Sequence, residues 1–362
     1  MVQHHPSSTP PLPHALRALA EKAPFLKRRT MMAAGVRAFF TARGLLEVQT
    51  PALVPVPGEE VHLRCMAVQV EKPEGGVERH FLHTSPEFAM KRLLAALCGT
   101  AGIDREGPVQ GLFQLARVWR NGEESATHSP EFTMLEWYRP YFTLPELMAE
   151  TEGLLRALLP PRVKRGGHSI DLAGPFERLT VEDAFLRHVG CSVLATLRET
   201  APGNWEGDVE ALAQAAGTKR RGHADGWQES WEDLFFRLMM EHVEPHLGVA
   251  RPTFLTDWPA PQAALARRRA DNGRVALRFE LYAGGLELAN AFDELTDGVE
   301  QRQRFQRDRA QRLHLHPDQD WALDEAFLEA VPHMPPTCGI ALGFDRLVML
   351  ATGAGRIQDV QF

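Results

Sequence analysis

The chain has 362 residues, 44% of them hydrophobic, enough to bury a sizeable core in one large or two smaller units. Its 40 Lys and Arg stand against 47 Asp and Glu, a net charge of -7, so no overall basic field gathers nucleic acid, although a local basic patch would be hidden in that sum. No apolar run reaches the roughly 18 residues of a membrane helix, and the start, MVQHHPSSTPPLPH, lacks the apolar segment of a signal peptide.

Residues 1–13, rich in Pro, Ser and His, are expected to form a mobile tail. Periodicity predicts an amphipathic helix over Leu26–Arg43, with Met32, Val36, Phe39 and Phe40 near one face and Gly44 as its stop, then a strand over Leu45–Val48. His62–Val70 and Glu78–His83 read as a hairpin around a Pro73–Gly76 turn. Thr84-Ser85-Pro86-Glu87 opens a helix, with Ser85 as cap, Pro86 in the first turn and Glu87 near the positive end. Phe113–Val118 and Phe132–Tyr138 alternate as two strands joined by a long polar loop. After a helix over Leu144–Leu159, a stretch of about residues 181–247 reads as a mostly helical insertion, broken by loops at Pro202–Gly207 and Lys219–Gly226. Strands return near Thr253–Thr256, Val275–Tyr282 and Leu286–Phe292, the last two joined at Ala283-Gly284-Gly285 as a hairpin. A charged helix over Gly298–Leu313 precedes a last helix and strand, giving one catalytic-size domain over 14–362. Cys65, Cys98, Cys191 and Cys338 form no CxxC pair, which fits reduced thiols in a cytoplasmic protein.

The stretch FQLARVWRNGEESATHSPEFTMLEWY, Phe113–Tyr138, holds arginines, a histidine, carboxylates and aromatics suited to grip a triphosphate and an amine-bearing substrate together. Glu136 and Tyr138 share a face with Phe132 and Met134, where an unpaired carboxylate is costly unless a cation meets it. A bound ammonium would serve. In LELANAFDEL, strict alternation puts Asn290 and Glu294 on one face and Glu287 on the other, so a bulge or bend near Ala291 is needed for both acids to reach one site. The competing readings are a solvated strand edge for these acids, plain helix capping for Ser85 and Glu87, and a core role for Tyr138.

This constellation resembles motif 2 of the class II aminoacyl-tRNA synthetases, in particular the lysyl branch. GLLEVQTPALV (Gly44–Val54), with Pro51, is similar to motif 1, and GIALGFDRLVML (Gly339–Leu350), with Arg346, to motif 3. TSPEFAMKRLL (Thr84–Leu94) and GLELANAFDELTD (Gly285–Asp297) resemble the amino-acid-pocket segments of lysyl synthetases, so five blocks stand in family order along most of the chain. The resemblance implies an α+β catalytic domain, a mostly antiparallel sheet flanked by helices, with no anticodon-binding domain. It also implies a homodimer through the motif 1 helix and strand. Within the family the likeness is greatest to small lysyl-synthetase paralogues that attach (R)-β-lysine to a lysine of translation elongation factor P, with no anticodon-type tRNA binding and no membrane partner.

The reaction so implied begins when the amino acid carboxylate attacks the α-phosphorus of ATP, expelling diphosphate and leaving an acyl-adenylate. Both reactants are anionic, so catalysis is chiefly alignment and charge neutralisation. By resemblance, Arg120 holds the α-phosphate and the substrate carboxylate, while Arg346 lies against the adenine and reaches the γ-phosphate. Phe132 stacks on the other adenine face, and Asn121, Glu123, His128, Ser129, Leu288 and Gly343 are further ATP contacts. Glu287 and Glu294 are implied to hold Mg2+, which commonly takes only one or two protein carboxylates. Ser85, Pro86, Glu87, Glu136, Tyr138, Asn290, Glu294 and Ala341 are implied to form the amine pocket, whose acids select a substrate with two ammonium groups.

Ala341 stands where lysyl synthetases usually have glycine, and its methyl can disfavour an α-amino group while accepting one displaced to the β carbon. Gly122-Glu123 replaces a usual Glu-Gly or Glu-Glu, Ser129 an asparagine and Ala291 a glycine. Two other functions compete: a lysine-tRNA ligase, and a non-catalytic regulatory subunit. Retention of Arg120, Glu287, Glu294 and Arg346 speaks against the second.

Overall fold

The computed structural model of the chain describes residues 13–100, 102–201, 203–222 and 226–361. Apart from Pro13, the expected tail lies outside the described residues, as do parts of the loops expected at 202–207 and 219–226. At the centre is an eight-stranded sheet. Its strands in chain order are β1 (Leu45–Glu47), β2 (Gly111–Trp119), β3 (Glu131–Pro140), β4 (Glu177–Thr180), β5 (Thr253–Pro259), β6 (Val275–Ala283), β7 (Leu286–Asp293) and β8 (Thr337–Gly343). In space they run β1-β2-β3-β8-β7-β6-β5-β4. The outer pairs β1–β2 and β5–β4 are parallel, and every pair between them is antiparallel. This is the α+β, mostly antiparallel architecture expected.

Alternation along β3 divides the sheet into a packed face and a chemical face. Leu135 and Trp137 point to the first, where helices α1 (Ala23–Thr41), α3 (Leu144–Leu158) and α5 (Phe344–Thr352) close the core; α2 (Glu87–Thr100) and α4 (Gly298–Leu315) lie elsewhere. Met32, Val36, Phe39 and Phe40 of α1 join that core as their periodicity predicts, and the ring of Phe40 lies 5.0 Å from that of Trp137. Met134, Glu136 and Tyr138 point the other way. There α2 packs through Met90 and Leu94 against Tyr138 and Leu112, holding its first turn over the sheet.

The β6–β7 hairpin turns at Gly284 and Gly285, whose φ angles of 61° and 71° lie in the left-handed region that a tight turn of this type requires. Beyond it the register slips: Tyr282 pairs with Glu287 but Leu281 pairs with Ala289, leaving Leu288 as an extra residue. The bulge needed to bring Glu287 round to the site therefore exists, but at Leu288 instead of near Ala291.

The segment 181–247 needs a correction. Besides helices Val181–His188, Val209–Ala215 and Trp231–Leu238 it contains a β-hairpin, Leu197–Ala201 with Asn204–Gly207. Its own core, with Phe185, Leu234 and Phe235, is continuous with Leu255 and Trp258 of β5 and Ala276 of β6. A second hairpin (Arg162–Arg165 with His168–Asp171), strand β4 and a helix at His14–Glu21 also have no counterpart in the sequence reading. These strands are short and rich in charged or polar residues, so neither period marks them. Among the described residues no helix is long and apolar enough to cross a membrane.

Trp137 is fully buried and donates from its indole Nε1 to Glu150 Oε2 at 3.1 Å. Trp137→Ala is expected to cost about 3–5 kcal/mol, read as a lower midpoint of urea denaturation; a loss under about 1 kcal/mol would show that the packed face does not depend on it.

Candidate active site

Cross-strand register builds the floor of the site. One row runs Glu136 (β3), Ala341 (β8), Asn290 (β7) and Glu280 (β6), and the next Tyr138, Gly339, Phe292 and Arg278. All of these except Glu280 line a cavity of about 950 Å³ between the sheet, α2, α4 and the β2–β3 loop. Of the residues named from the sequence, every one lines this cavity except Asn121 and Pro86. Those two stand just outside its lining. Asn121 is exposed and contributes its backbone N–H to Arg64 O at 2.8 Å, while Pro86 is buried immediately before α2, its carbonyl accepting from Met90 N at 2.9 Å.

At the end expected to take the nucleotide, Arg346 in the first turn of α5 reaches into the β2–β3 loop. Its Nη1 donates to Glu287 O at 2.7 Å, its Nε to Thr127 O at 3.2 Å, and its Nη2 meets His128 Nε2 at 2.7 Å. An arginine can only donate, so His128 Nε2 accepts and its Nδ1 faces Ser125 Oγ at 2.8 Å. Burial, with Arg346 adding to it, holds the His128 pKa below its ordinary value, which keeps the ring neutral as this contact requires. Arg120 is freer. Its guanidinium lies 5.3 Å from the centroid of Phe132, its buried Nε has no partner, and its nearest carboxylate, Glu123, is 3.9 Å away. A planar cation with open donors beside an aromatic face fits an anion attached to a ring.

At the other end the charges are reversed. Glu136 is 2% exposed; its Oε1 accepts from Tyr138 OH at 2.6 Å, and its Oε2 is buried without a partner. Burial, followed by the charge of Glu87, pushes this carboxyl well above the usual range. Lys91 was missed from the sequence. Its Nζ lies 2.6 Å from both Glu87 Oε1 and Glu294 Oε2 in a site 2% exposed. Burial opposes the charge on Lys91, but Glu294 and Glu87 outweigh it and raise its pKa. Glu294 is itself pushed up to about 8, by burial first, with Lys91 pulling against it. The signal that could have found Lys91 is its spacing, four residues after Glu87 on a helix.

The two acids expected to hold Mg2+ have different neighbours. Glu294 Oε2 is paired with Lys91, beside Glu87. Glu287 sits at the opposite end, 3.6 Å from Arg346 and partly open to solvent. The carboxylate it faces is Glu280, which accepts from Arg278 Nη2 at 2.5 Å and Tyr282 OH at 2.6 Å. Burial and then the charge of Glu287 raise Glu280 to about 7. Both oxygens of Glu280 are engaged, so Glu287, partly open to solvent, is the carboxylate of this pair left to meet a divalent cation.

The family model described as tRNA synthetases class II (D, K and N) matches residues 16–362, and the chain belongs to that family. It is therefore an ATP-dependent ligase of the class II synthetase type. Nearer relatives narrow the comparison. The chain is 39% identical over 338 residues to the elongation factor P--(R)-beta-lysine ligase of Proteus mirabilis (strain HI4320), covering 92% of this chain and 93% of that protein. It is 39% identical over 340 residues to the enzyme of the same name from Salmonella typhi, covering 93% and 94%.

Gly339 lies where the Tyr138 ring and the Glu294 carboxylate approach the β8 backbone, and a Cβ there would collide with both. Gly339→Ala is expected to raise the amino acid KM about tenfold or more while leaving the ATP KM within about twofold; initial-rate kinetics in the two substrates decide it.

Proposed function

We propose that the chain activates (R)-β-lysine with ATP and transfers the acyl group to a lysine side chain of translation elongation factor P. The observation that carries this reading is the unpartnered, buried Oε2 of Glu136 in a pocket shared with Glu87 and Glu294, at one end of a cavity whose other end presents Arg120 and Arg346. An acidic pocket seats amines, and the arginines take phosphate. The names of the relatives supply the substrate and the acceptor.

In the first step Arg120 aligns the substrate carboxylate with the α-phosphate and offsets the charge gathered as the two anions meet. The carboxylate oxygen bonds to the α-phosphorus, the bond to the β-phosphate oxygen breaks, and diphosphate leaves with its charge met by Arg346. Phe132 takes one face of the adenine. The arrangement is also a fit for Mg2+: Glu287 would hold the ion, which commonly takes only one or two protein carboxylates and would neutralise triphosphate charge when bound. In the second step a neutral lysine amine of the factor attacks the acyl carbon, the acyl–phosphate bond breaks, AMP departs, and the amine gives up its proton.

Two further properties belong to the same proposal. Leu26 and Met31 of α1 and Leu46 of β1 are exposed apolar side chains in the segment similar to motif 1, and a homodimer through that segment is part of the reading. The reaction, fed by ATP and acting on a translation factor, belongs in the cytoplasm.

ATP–diphosphate exchange with (R)-β-lysine and with α-lysine, followed by mass spectrometry of the factor after incubation, tests the reading. Faster exchange with the β isomer and a one-acyl mass gain on the factor are expected; exchange with α-lysine alone, or acyl transfer to tRNA in place of the factor, would replace it with an aminoacyl-tRNA ligase. Ala341 is flanked by Glu136 and Asn290 on adjacent strands, so its methyl sits where the substrate amine is placed. Ala341→Gly is expected to raise kcat/KM for α-lysine relative to the β isomer by about tenfold, in keeping with the ~1–3 kcal/mol that one methyl can discriminate.

A further inference from the structure

Three carboxylates, Glu87, Glu136 and Glu294, converge at the amine end of the cavity, and one ammonium meets them from the protein side. That ammonium does not line the cavity. Lys91 stands one helical turn after Glu87 on α2, behind the carboxylates, its Nζ 5.9 Å from the Tyr138 ring centroid. The adjacent Met90 and Leu94, both fully buried, fix the helix against the sheet, so the lysine cannot swing out to solvent.

We propose that Lys91 is a positioning residue that sets how many positive charges the amine pocket accepts. Once a bound cation holds all three carboxylates in their ionised form, the one internal ammonium leaves two negative charges to be met by the ligand, which is the charge carried by the two ammonium groups of a diamine. Lys91 does this by spending one oxygen of Glu87 and one of Glu294 on itself, at 2.6 Å each, which also holds the two acids at a fixed separation. The Oε2 of Glu136 and the remaining oxygens of Glu87 and Glu294 are left to face the cavity. Without the lysine, Glu87 and Glu294 repel, and a substrate ammonium drawn between them would sit too deep for its carboxylate to reach Arg120. A buried cation paired on two sides tolerates loss of one partner poorly but loss of a matched charge well, and this gives the inference its distinctive test. It rests on the diamine reading above.

The experiment compares wild type, Lys91→Met, Glu87→Gln and the double variant Glu87→Gln/Lys91→Met in ATP–diphosphate exchange with (R)-β-lysine, with melting curves as a fold control. Lys91→Met alone leaves three uncompensated acids and is expected to raise the amino acid KM about tenfold or more, with kcat and the ATP KM within about threefold. In the Glu87→Gln background the same change restores a residual charge of two, so the double variant is expected to bind the substrate as well as Glu87→Gln or better. A simple packing role would make Lys91→Met harmful in both backgrounds, and a further KM rise of about tenfold from Glu87→Gln to the double variant overturns the proposal. That comparison stands even if the single Lys91→Met protein does not fold. A Lys91→Met KM within about twofold of wild type also overturns it. Wild-type protein that exchanges with no diamine removes the function reading, and this inference with it.

Discussion

The structure depends on an imbalance of buried charge. Glu136, Glu294 and Glu87 are held close together by a strand, a strand end and a helix that pack for other reasons, and only Lys91 meets them from within. Carboxylates in such surroundings resist ionisation until a cation meets them. A ligand bearing ammonium groups would lift that resistance. The arginine end follows the opposite logic: Arg120 and Arg346 are permanently charged, so an anion would be matched there.

Holding like charges together needs rigid supports, and the two faces of the sheet provide them. On the packed face, α1, α3 and α5 seal Leu135 and Trp137 into a continuous apolar core. On the other face the same strand presents Glu136 and Tyr138, and α2 and α4 wall the cavity without filling it. Pairing of β8 between β3 and β7 places residues distant in sequence side by side. Ala341 thus comes to stand between Glu136 and Asn290, and Gly339 gives Tyr138 and Glu294 the space of a missing side chain.

Much of this was legible in the sequence. The period-2 pattern of Phe132–Tyr138 foretells which side chains share a face, and the helix of Met32, Val36, Phe39 and Phe40 is marked by its apolar stripe. The Gly284-Gly285 turn is announced by its glycines. What stayed hidden depends on contacts across long separations. Nothing near Glu280 in the sequence says that Glu287 will oppose it, because that follows from the hairpin register. Lys91 reads as one more surface lysine until Glu294 arrives from another element. The hairpins at 162–171 and 197–207 are short and polar, held by packing that their own residues do not display. Alternation places Glu294 with Asn290 and apart from Glu287, and only the fold adds that Lys91 stands behind it.

The extra residue at Leu288 has a consequence for how this chain can vary. It decouples the two halves of β7, so that Glu287 and Asn290 both reach the cavity although a regular strand would send them to opposite sides. The side chain of Leu288 can be exchanged for another of similar bulk with little effect on that arrangement. Removing the residue would let Tyr282–Glu287 and Leu281–Ala289 pair as a regular ladder with the same facing, whereas adding a further residue there would turn one half of the strand over and exchange cavity-facing for core-facing atoms. In this hairpin the register of the two strands, more than the identity of the extra side chain, decides which acids look into the cavity.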